Sequence, residues 1–177
     1  MKKLSILFFL LAIVSNCKND DDNLTPLEQL PAATQTGEGS FGCLVNGTPF
    51  VETNNFLNAF YQFVNGKYFF RLGSESDENS ILDQIIIGSN AAQIEDASEY
   101  NLRCNEEGFH YAEISVSDVV LGDENTTCET SFGILKITKL DFTNNIVSGT
   151  FEFDVEHPVT KEVIQVREGR FDTLFTE

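Results

Sequence analysis

Two Asn-Gly dipeptides, Asn46-Gly47 and Asn65-Gly66, each interrupt a stretch rich in β-branched and aromatic residues. A two-residue hairpin turn of type I′ needs positive φ at both central positions, and Asn followed by Gly meets that need well. The sequence therefore predicts two β-hairpins in the first half of the chain. Their strands are expected at 41–45 and 48–51, and at 59–64 and 67–72.

The last third of the chain contains three long stretches, 132–140, 146–155 and 162–175, joined by short polar connections. In the middle stretch, apolar and polar residues alternate with the period of two that is typical of a half-buried antiparallel strand. These three stretches predict a C-terminal three-strand meander. The alternation slips by one residue between Ile137 and Leu140 and again at Glu168-Gly169, which indicates β-bulges.

Shorter strands are expected within 81–87, 100–103 and 109–116, and no segment has the apolar stripe of a long helix. Without crossover helices, a parallel α/β sheet is excluded. The predicted fold is all-β, with about nine strands in an antiparallel β-sandwich or a small β-barrel.

The chain carries 28 acidic against 11 basic residues, a net charge of −17. Such a polyanion is repelled by phosphate backbones and by anionic lipid surfaces, so nucleic-acid binding and peripheral membrane binding are not expected. No motif points to a cofactor, and none is predicted.

The N-terminus has the pattern of an export signal. Lys2 and Lys3 precede the run Leu4 to Val14, which is apolar except for Ser5. That run is shorter than the about 20 residues of a transmembrane helix but fits a secretory signal peptide. The stretch Val14-Ser15-Asn16-Cys17 resembles a bacterial lipobox of the Bacteroidetes type, in which the cysteine thiol receives a diacylglyceryl group. The resemblance implies lipidation of Cys17 and cleavage after residue 16.

The expected organisation is a lipoprotein signal peptide at 1–16, an acidic and polar tether at 17–40 and a single β-domain at 41–177. Two or three acyl chains hold a protein firmly on a membrane, whereas one gives only marginal binding. Lys18-Asn19-Asp20-Asp21-Asp22 resembles the acidic tag that directs lipoproteins of this phylum to the cell surface. The predicted location is the outer membrane with surface display, and the periplasmic face is the alternative.

If Cys17 carries lipid, three cysteines remain, an odd number for an oxidising compartment. Cys104 and Cys128 lie in polar loop contexts and are expected to form a disulfide. Cys43 lies in an apolar run and is expected to be a small buried residue. A pairing of Cys17 with Cys43 is the alternative, and it would require no lipid.

A broader resemblance runs from Leu30 to the C-terminus. It rests on Leu30-Pro31-Ala32-Ala33-Thr34-Gln35-Thr36-Gly37, Phe41-Gly42-Cys43-Leu44-Val45-Asn46-Gly47, Ile137-Thr138-Lys139-Leu140-Asp141, Ser148-Gly149-Thr150-Phe151 and Glu168-Gly169-Arg170-Phe171-Asp172. Together these segments resemble a family of small Bacteroidetes surface lipoproteins of unknown function. The family has no assigned catalytic residues, so the resemblance implies a location and no reaction.

No catalytic residue is predicted. The two histidines, His110 and His157, have no partner at ligand spacing, so no transition-metal site is expected. A weak calcium hypothesis rests on three carboxylates in one predicted loop, Asp118, Asp123 and Glu124. The stretch Asp172-Thr173-Leu174 resembles the O-glycosylation acceptor of the phylum, which implies Thr173 as a modification site.

The sequence therefore favours a non-enzymatic, lipid-anchored β-domain that contacts an envelope or extracellular partner through loops such as 74–80 and 118–127. Two alternatives remain. The first is a glycan-acting hydrolase with paired carboxylates, and the second is a lipocalin-like carrier with an apolar cavity. The absence of tryptophan argues against a carbohydrate platform without excluding one.

Overall fold

The structure of the chain is a computed structural model that describes residues 24–53, 55–76, 78–79, 81–116, 126–128 and 131–177. Within these ranges it contains ten strands and no helix long and apolar enough to cross a membrane. The strands are β1 (Ser40–Val45), β2 (Thr48–Val51), β3 (Asn58–Val64), β4 (Lys67–Glu75), β5 (Gln84–Asn90), β6 (Ser98–Asn101), β7 (Phe109–Ser115), β8 (Gly133–Asp141), β9 (Ile146–Glu156) and β10 (Val163–Leu174).

The strands form two antiparallel sheets. Sheet A has six strands in the order β2-β1-β10-β9-β8-β6, and sheet B has four in the order β3-β4-β5-β7. Side chains from the inner faces of both sheets share one hydrophobic core that includes Phe41, Phe70, Ile87, Ile114 and Phe153. The all-β prediction is confirmed. Of the two architectures left open by the sequence, the described strands match a sandwich of two open sheets and show no closed barrel.

Both predicted Asn-Gly hairpins are present. Asn46 and Gly47 have φ values of 49° and 83°, and Asn65 and Gly66 have 52° and 84°. Positive φ at both central positions is the geometry of a type I′ turn, which matches the right-handed twist of the flanking strands. The turns set the registers Val45 with Thr48 and Val64 with Lys67.

In the C-terminal part, β8 pairs with β9 and β9 with β10. The register shifts between Ile137 and Lys139 and between Val166 and Gly169, where the sequence predicts bulges. At the second bulge, a Cβ on Gly169 would lie 2.5 Å from the Phe151 ring, so this close approach requires glycine. A third shift, between Gly42 and Leu44, was not predicted.

The segment 30–39 lies against the outer face of sheet A. Leu30 is buried, and Pro31 rests on Gly42, where a Cβ would come within 2.6 Å of its ring. Farther along, the backbone N–H groups of Thr36 and Gly37 donate to the Asp172 carboxylate at 2.9 and 2.8 Å. The sequence placed this segment in the tether because it is polar. In the structure its polar groups are satisfied by a buried carboxylate on β10 rather than by water.

Cys104 and Cys128 form a disulfide, as predicted, with their Cα atoms 4.2 Å apart. The bond ties the segment after β6 to the segment before β8. Cys43 is a free thiol buried in the core, and burial raises its pKa. A cysteine buried in apolar surroundings is unreactive, so Cys43 serves only to fill space in the core.

Candidate ligand-binding face

The outer face of sheet B carries a row of side chains that crosses all four strands. Phe60 on β3 pairs with Arg71 on β4, Arg71 with Gly88 on β5, and Gly88 with Tyr111 on β7. All four residues point away from the core because their neighbours along each strand, such as Tyr61 and Phe70, point into it. The strand period thus brings two aromatic rings and one guanidinium onto one surface.

Gly88 determines how this row is arranged. A Cβ at this position would lie 2.7 Å from Cζ and 2.8 Å from the hydroxyl oxygen of Tyr111, so the tyrosine ring occupies the space that a side chain at residue 88 would fill. In this position Tyr111 lines the same depression as Arg71 and Asn105. Burial raises the pKa of Tyr111, and the positive charge of Arg71 only partly offsets this effect. The phenol therefore stays neutral at physiological pH, and it lines the same depression as the guanidinium of Arg71.

Two depressions on this face meet at Phe60 and Arg71. The first has a volume of about 280 Å³ and the second about 310 Å³. The first is lined by Phe56, Asn58, Phe60, Arg71, Gly73, Glu75, Gln84 and Ile86. The second is lined by Phe60, Phe69, Phe70, Arg71, Ser89, Asn90, Asn105 and Tyr111. We call the two together the Arg71 trough.

The lining of the Arg71 trough is suited to binding. Phe56 is 54% exposed at the rim, and Ile86 is fully buried in the floor. The Gln84 amide donates to Glu75 at 3.0 Å, and the Asn90 amide donates to Asn105 at 3.1 Å. Aromatic surface with a few oriented polar groups is the usual composition of a ligand site. The lining includes no histidine or cysteine and only one carboxylate, so it offers no nucleophile with an adjacent base.

A second groove, of about 500 Å³, lies on the outer face of sheet A. Its lining includes three carboxylates, Glu99, Glu152 and Glu168. Arg170 lies 3.3 Å from Glu168, and Arg167 lies 4.0 Å from Glu152. Two of the three acids therefore belong to an ion-pair network on a solvated sheet face, rather than to a pair that shares one substrate bond.

Asp172 is a buried carboxylate whose pKa is strongly lowered. Burial alone would raise its pKa, but hydrogen bonds from Thr34 and Ser148, at 2.6 and 2.7 Å, and from backbone N–H groups lower it to about 2. Each donor comes from the chain's own folded segments. Asp172 is therefore a structural anchor for the segment 34–38 and not a catalytic acid.

The residues singled out from the sequence do not meet at one site. Cys17, Asp118, Asp123 and Glu124 lie outside the described residues. Thr173 is only 6% exposed, so a glycan could be attached there only before β10 has folded. Among the described residues, no group of three or more His, Cys, Asp or Glu side chains could hold a metal ion.

Neither histidine lines the trough. The His110 ring stacks on Tyr100 at 4.0 Å and lies 3.2 Å from the Gln93 carbonyl, and burial lowers its pKa. His157 Nδ1 accepts the backbone N–H groups of Val159 and Thr160 in a turn. Both side chains have structural partners.

The predicted contact loop 74–80 begins inside a strand, and its described residues 76, 78 and 79 lie outside the strands. Ser74 and Glu75 belong to β4, and Ser74 and Ser76 are buried. The Arg71 trough was not predicted from the sequence, although one signal was present. Along 67–72, Phe69 and Arg71 alternate with the apolar Tyr68, Phe70 and Leu72, so an aromatic ring and a cation share the other face of that strand.

Comparison with protein-family models, with curated proteins and with solved structures finds no match to this chain. A β-sandwich supports many unrelated functions, so the fold alone does not indicate one. Function has to be inferred from the chemistry of the site.

Proposed function

We propose that this chain is a lipid-anchored, non-enzymatic binding module of the outer membrane, displayed on the cell surface, which holds its ligand in the Arg71 trough. The observation that carries the proposal is the preorganised row across sheet B. Phe60, Arg71 and Tyr111 stand in register on neighbouring strands, and Tyr111 packs over Gly88 in the depression that Arg71 also lines. A binding group that is already ordered loses little entropy when a ligand arrives.

The position of the N-terminal segment supports this function. Pro31, Thr36 and Gly37 lie on the outer face of sheet A, where they contact Gly42 and Asp172. A lipid at Cys17 would therefore connect to the sheet A side of the sandwich. The Arg71 trough lies on the opposite face and would remain accessible in an anchored protein.

The two alternative functions find less support. A lipocalin-like carrier needs an apolar cavity of roughly 300 Å³ or more inside the fold, whereas the inner faces here are filled by a continuous core that includes Leu72, Ile85 and Leu135. A glycan hydrolase needs two carboxyl groups on either side of the scissile bond. In the sheet A groove, Glu152 and Glu168 are instead paired with arginines.

Photo-crosslinking on intact cells tests the proposal without knowledge of the ligand. A photoreactive residue at Asn58, which is exposed and lines the trough, is compared with one at Lys136, which is exposed on sheet A. We expect envelope adducts from position 58 only, and we expect Arg71→Ala to reduce them. Equal labelling at both positions, or none at position 58, would contradict a binding role.

Protease treatment of intact cells reports surface display, and protection until lysis would place the domain on the periplasmic face.

A further inference from the structure

We infer that the Arg71 trough takes an uncharged oligosaccharide chain. This inference rests on the binding role proposed above and names the class of ligand. It draws on four properties of the trough: its aromatic surface, its mixture of hydrogen-bonding groups, its charge and its shape.

The aromatic surface is provided by Phe56 and Phe60. Phe56 is 54% exposed, and Phe60 is half-buried at the junction of the two depressions. The face of an aromatic ring carries partial negative charge. It therefore attracts the weakly positive C–H groups that cover one side of a sugar ring. Tyr111 is too buried for this role and lines the depression beside Arg71.

The polar groups of the trough suit hydroxyls. The Arg71 guanidinium only donates, the Glu75 carboxylate only accepts, and the amides of Asn58 and Gln84 do both. A hydroxyl group donates and accepts, so a chain of hydroxyls can use all of these groups. An apolar ligand would cover these groups without supplying partners for their remaining donors and acceptors, which is unfavourable.

The charge of the site favours an uncharged ligand. One arginine and one carboxylate line the trough, so the site carries both signs near one another. A polyanionic chain would meet the −17 charge of the whole protein, and a cationic chain would meet Arg71 at the centre. The trough therefore has no excess of one charge that would bind a ligand of the opposite charge.

The shape favours a chain over a single sugar. The row from Phe60 to Tyr111 crosses four strands, which are spaced by about 4.8 Å and together span roughly 14 Å. The two depressions meet at Phe60 and Arg71, so a linear ligand could occupy both.

A peptide adding as a strand is the main competing ligand, but both described edges of sheet B already have backbone partners along part of their length. Beside β3, the Tyr61 backbone N–H donates a hydrogen bond to the Thr176 carbonyl at 2.9 Å. The Thr176 backbone N–H donates one to the Ala59 carbonyl at 3.0 Å. Beside β7, Thr127 N donates to the Ala112 carbonyl at 2.9 Å. Strand addition needs a free edge.

Calorimetry and amide NMR on the purified full chain in detergent test this inference. The probes are hexamers of β-1,4-glucose, β-1,4-xylose and β-1,4-mannose, with a polygalacturonate hexamer and an uncharged hexapeptide as competing classes. We expect at least one neutral hexamer to bind and to shift the amides of Phe60 and Arg71. Phe56→Ala should weaken binding about tenfold through lost stacking. Arg71→Lys should do the same, because it keeps the charge and loses the planar donor fork.

Lys136→Ala, an exposed substitution on sheet A, is the matched control and should change affinity less than about twofold. Phe56→Ala removes an exposed ring, so a fold defect is not expected, and the melting temperature verifies this.

Binding only of polygalacturonate or of the peptide, or neutral binding that both trough variants leave unchanged, would overturn the inference. If no hexamer binds while crosslinks at position 58 persist, the ligand class is wrong and the binding role stands. If both fail, the trough is not a binding face.

Discussion

At the scale of single residues, Asp172 shows how one side chain can extend a domain. It is a fully buried carboxylate on the outer face of β10. Its oxygens accept hydrogen bonds from the Thr34 hydroxyl and the Gly37 backbone N–H on one side and from the Ser148 hydroxyl on the other. Hydrogen bonds to a charged group are worth more than neutral ones. One residue therefore fastens the N-terminal segment to the sheet.

We expect Asp172→Asn to lower the free energy of unfolding by about 2 to 3 kcal/mol, because an amide keeps the shape but loses the charge and places N–H donors against other donors. Urea unfolding at pH 7 measures this. Glu99→Gln, at an exposed carboxylate, is the control and should change stability by less than about 0.5 kcal/mol. Equal effects of the two substitutions would show that Asp172 does not anchor the segment.

The same residue predicts a pH dependence. The pKa of Asp172 is lowered from 3.8 to about 2 on folding. A depressed carboxyl pKa stabilises the fold fully above the unfolded value, and this stabilisation is lost as the pH falls from about 4 towards 2. The contribution amounts to roughly 2 kcal/mol. Unfolding curves at pH 5, 4, 3 and 2 should show this loss in the natural protein and a smaller one in Asp172→Asn. Parallel curves would contradict the assignment.

At the scale of elements, the Cys104–Cys128 disulfide joins β6 and β7 to the start of β8 across a sequence separation of 24 residues. Asn105 follows Cys104 directly, lines the trough and accepts a hydrogen bond from the Asn90 amide there. The disulfide therefore helps to place one wall of the candidate site. This link connects a stabilising bond to a binding surface.

Replacing both cysteines with serine should lower the free energy of unfolding by about 3 kcal/mol, because the unfolded chain regains the freedom of the open loop. Denaturant unfolding with and without reductant measures this. The natural protein should respond to reductant, and the double variant should not. A natural protein that is insensitive to full reduction would show that the bond contributes nothing to stability.

At the scale of the whole molecule, the sandwich separates its two outer faces by role. Sheet A receives the N-terminal segment, and sheet B presents the Arg71 trough. The buried state of Cys43 also bears on the anchor, because a thiol in the core is not available to Cys17. Lipidation of Cys17 therefore remains the prediction for the first cysteine.

Cys17→Ser should abolish acylation, because it removes the thiol that would receive the diacylglyceryl group. Intact-mass analysis of the membrane-extracted protein measures this. The melting temperature should be unchanged, since residues 24–29 are exposed and Leu30 is the first buried residue of the described chain. A natural protein that begins at residue 17 without added acyl mass would overturn the membrane assignment and indicate a secreted domain.

Much of the secondary structure was predictable because its signals are local. The Asn-Gly turns, the alternation in β9 and the bulges near Ile137 and Gly169 depend on φ preferences and on the pleat, which neighbouring residues alone determine. The Cys104–Cys128 pairing was also predicted, since both cysteines lie in polar loops. For the trough, the sequence indicated only that Phe69 and Arg71 share a strand face.

What remained hidden depended on contacts between distant residues. Nothing near Asp172 in the sequence shows that its partners are at 34–38, so the segment was assigned to the tether. Likewise, Phe60, Arg71, Gly88 and Tyr111 come from four strands, and only the registers of sheet B place them in one row. The sequence by itself determined which residues become strands and turns, because backbone preference and side-chain alternation are encoded locally. The tertiary structure decided which strand faces meet and which polar groups are buried together, because these depend on pairing across the whole chain.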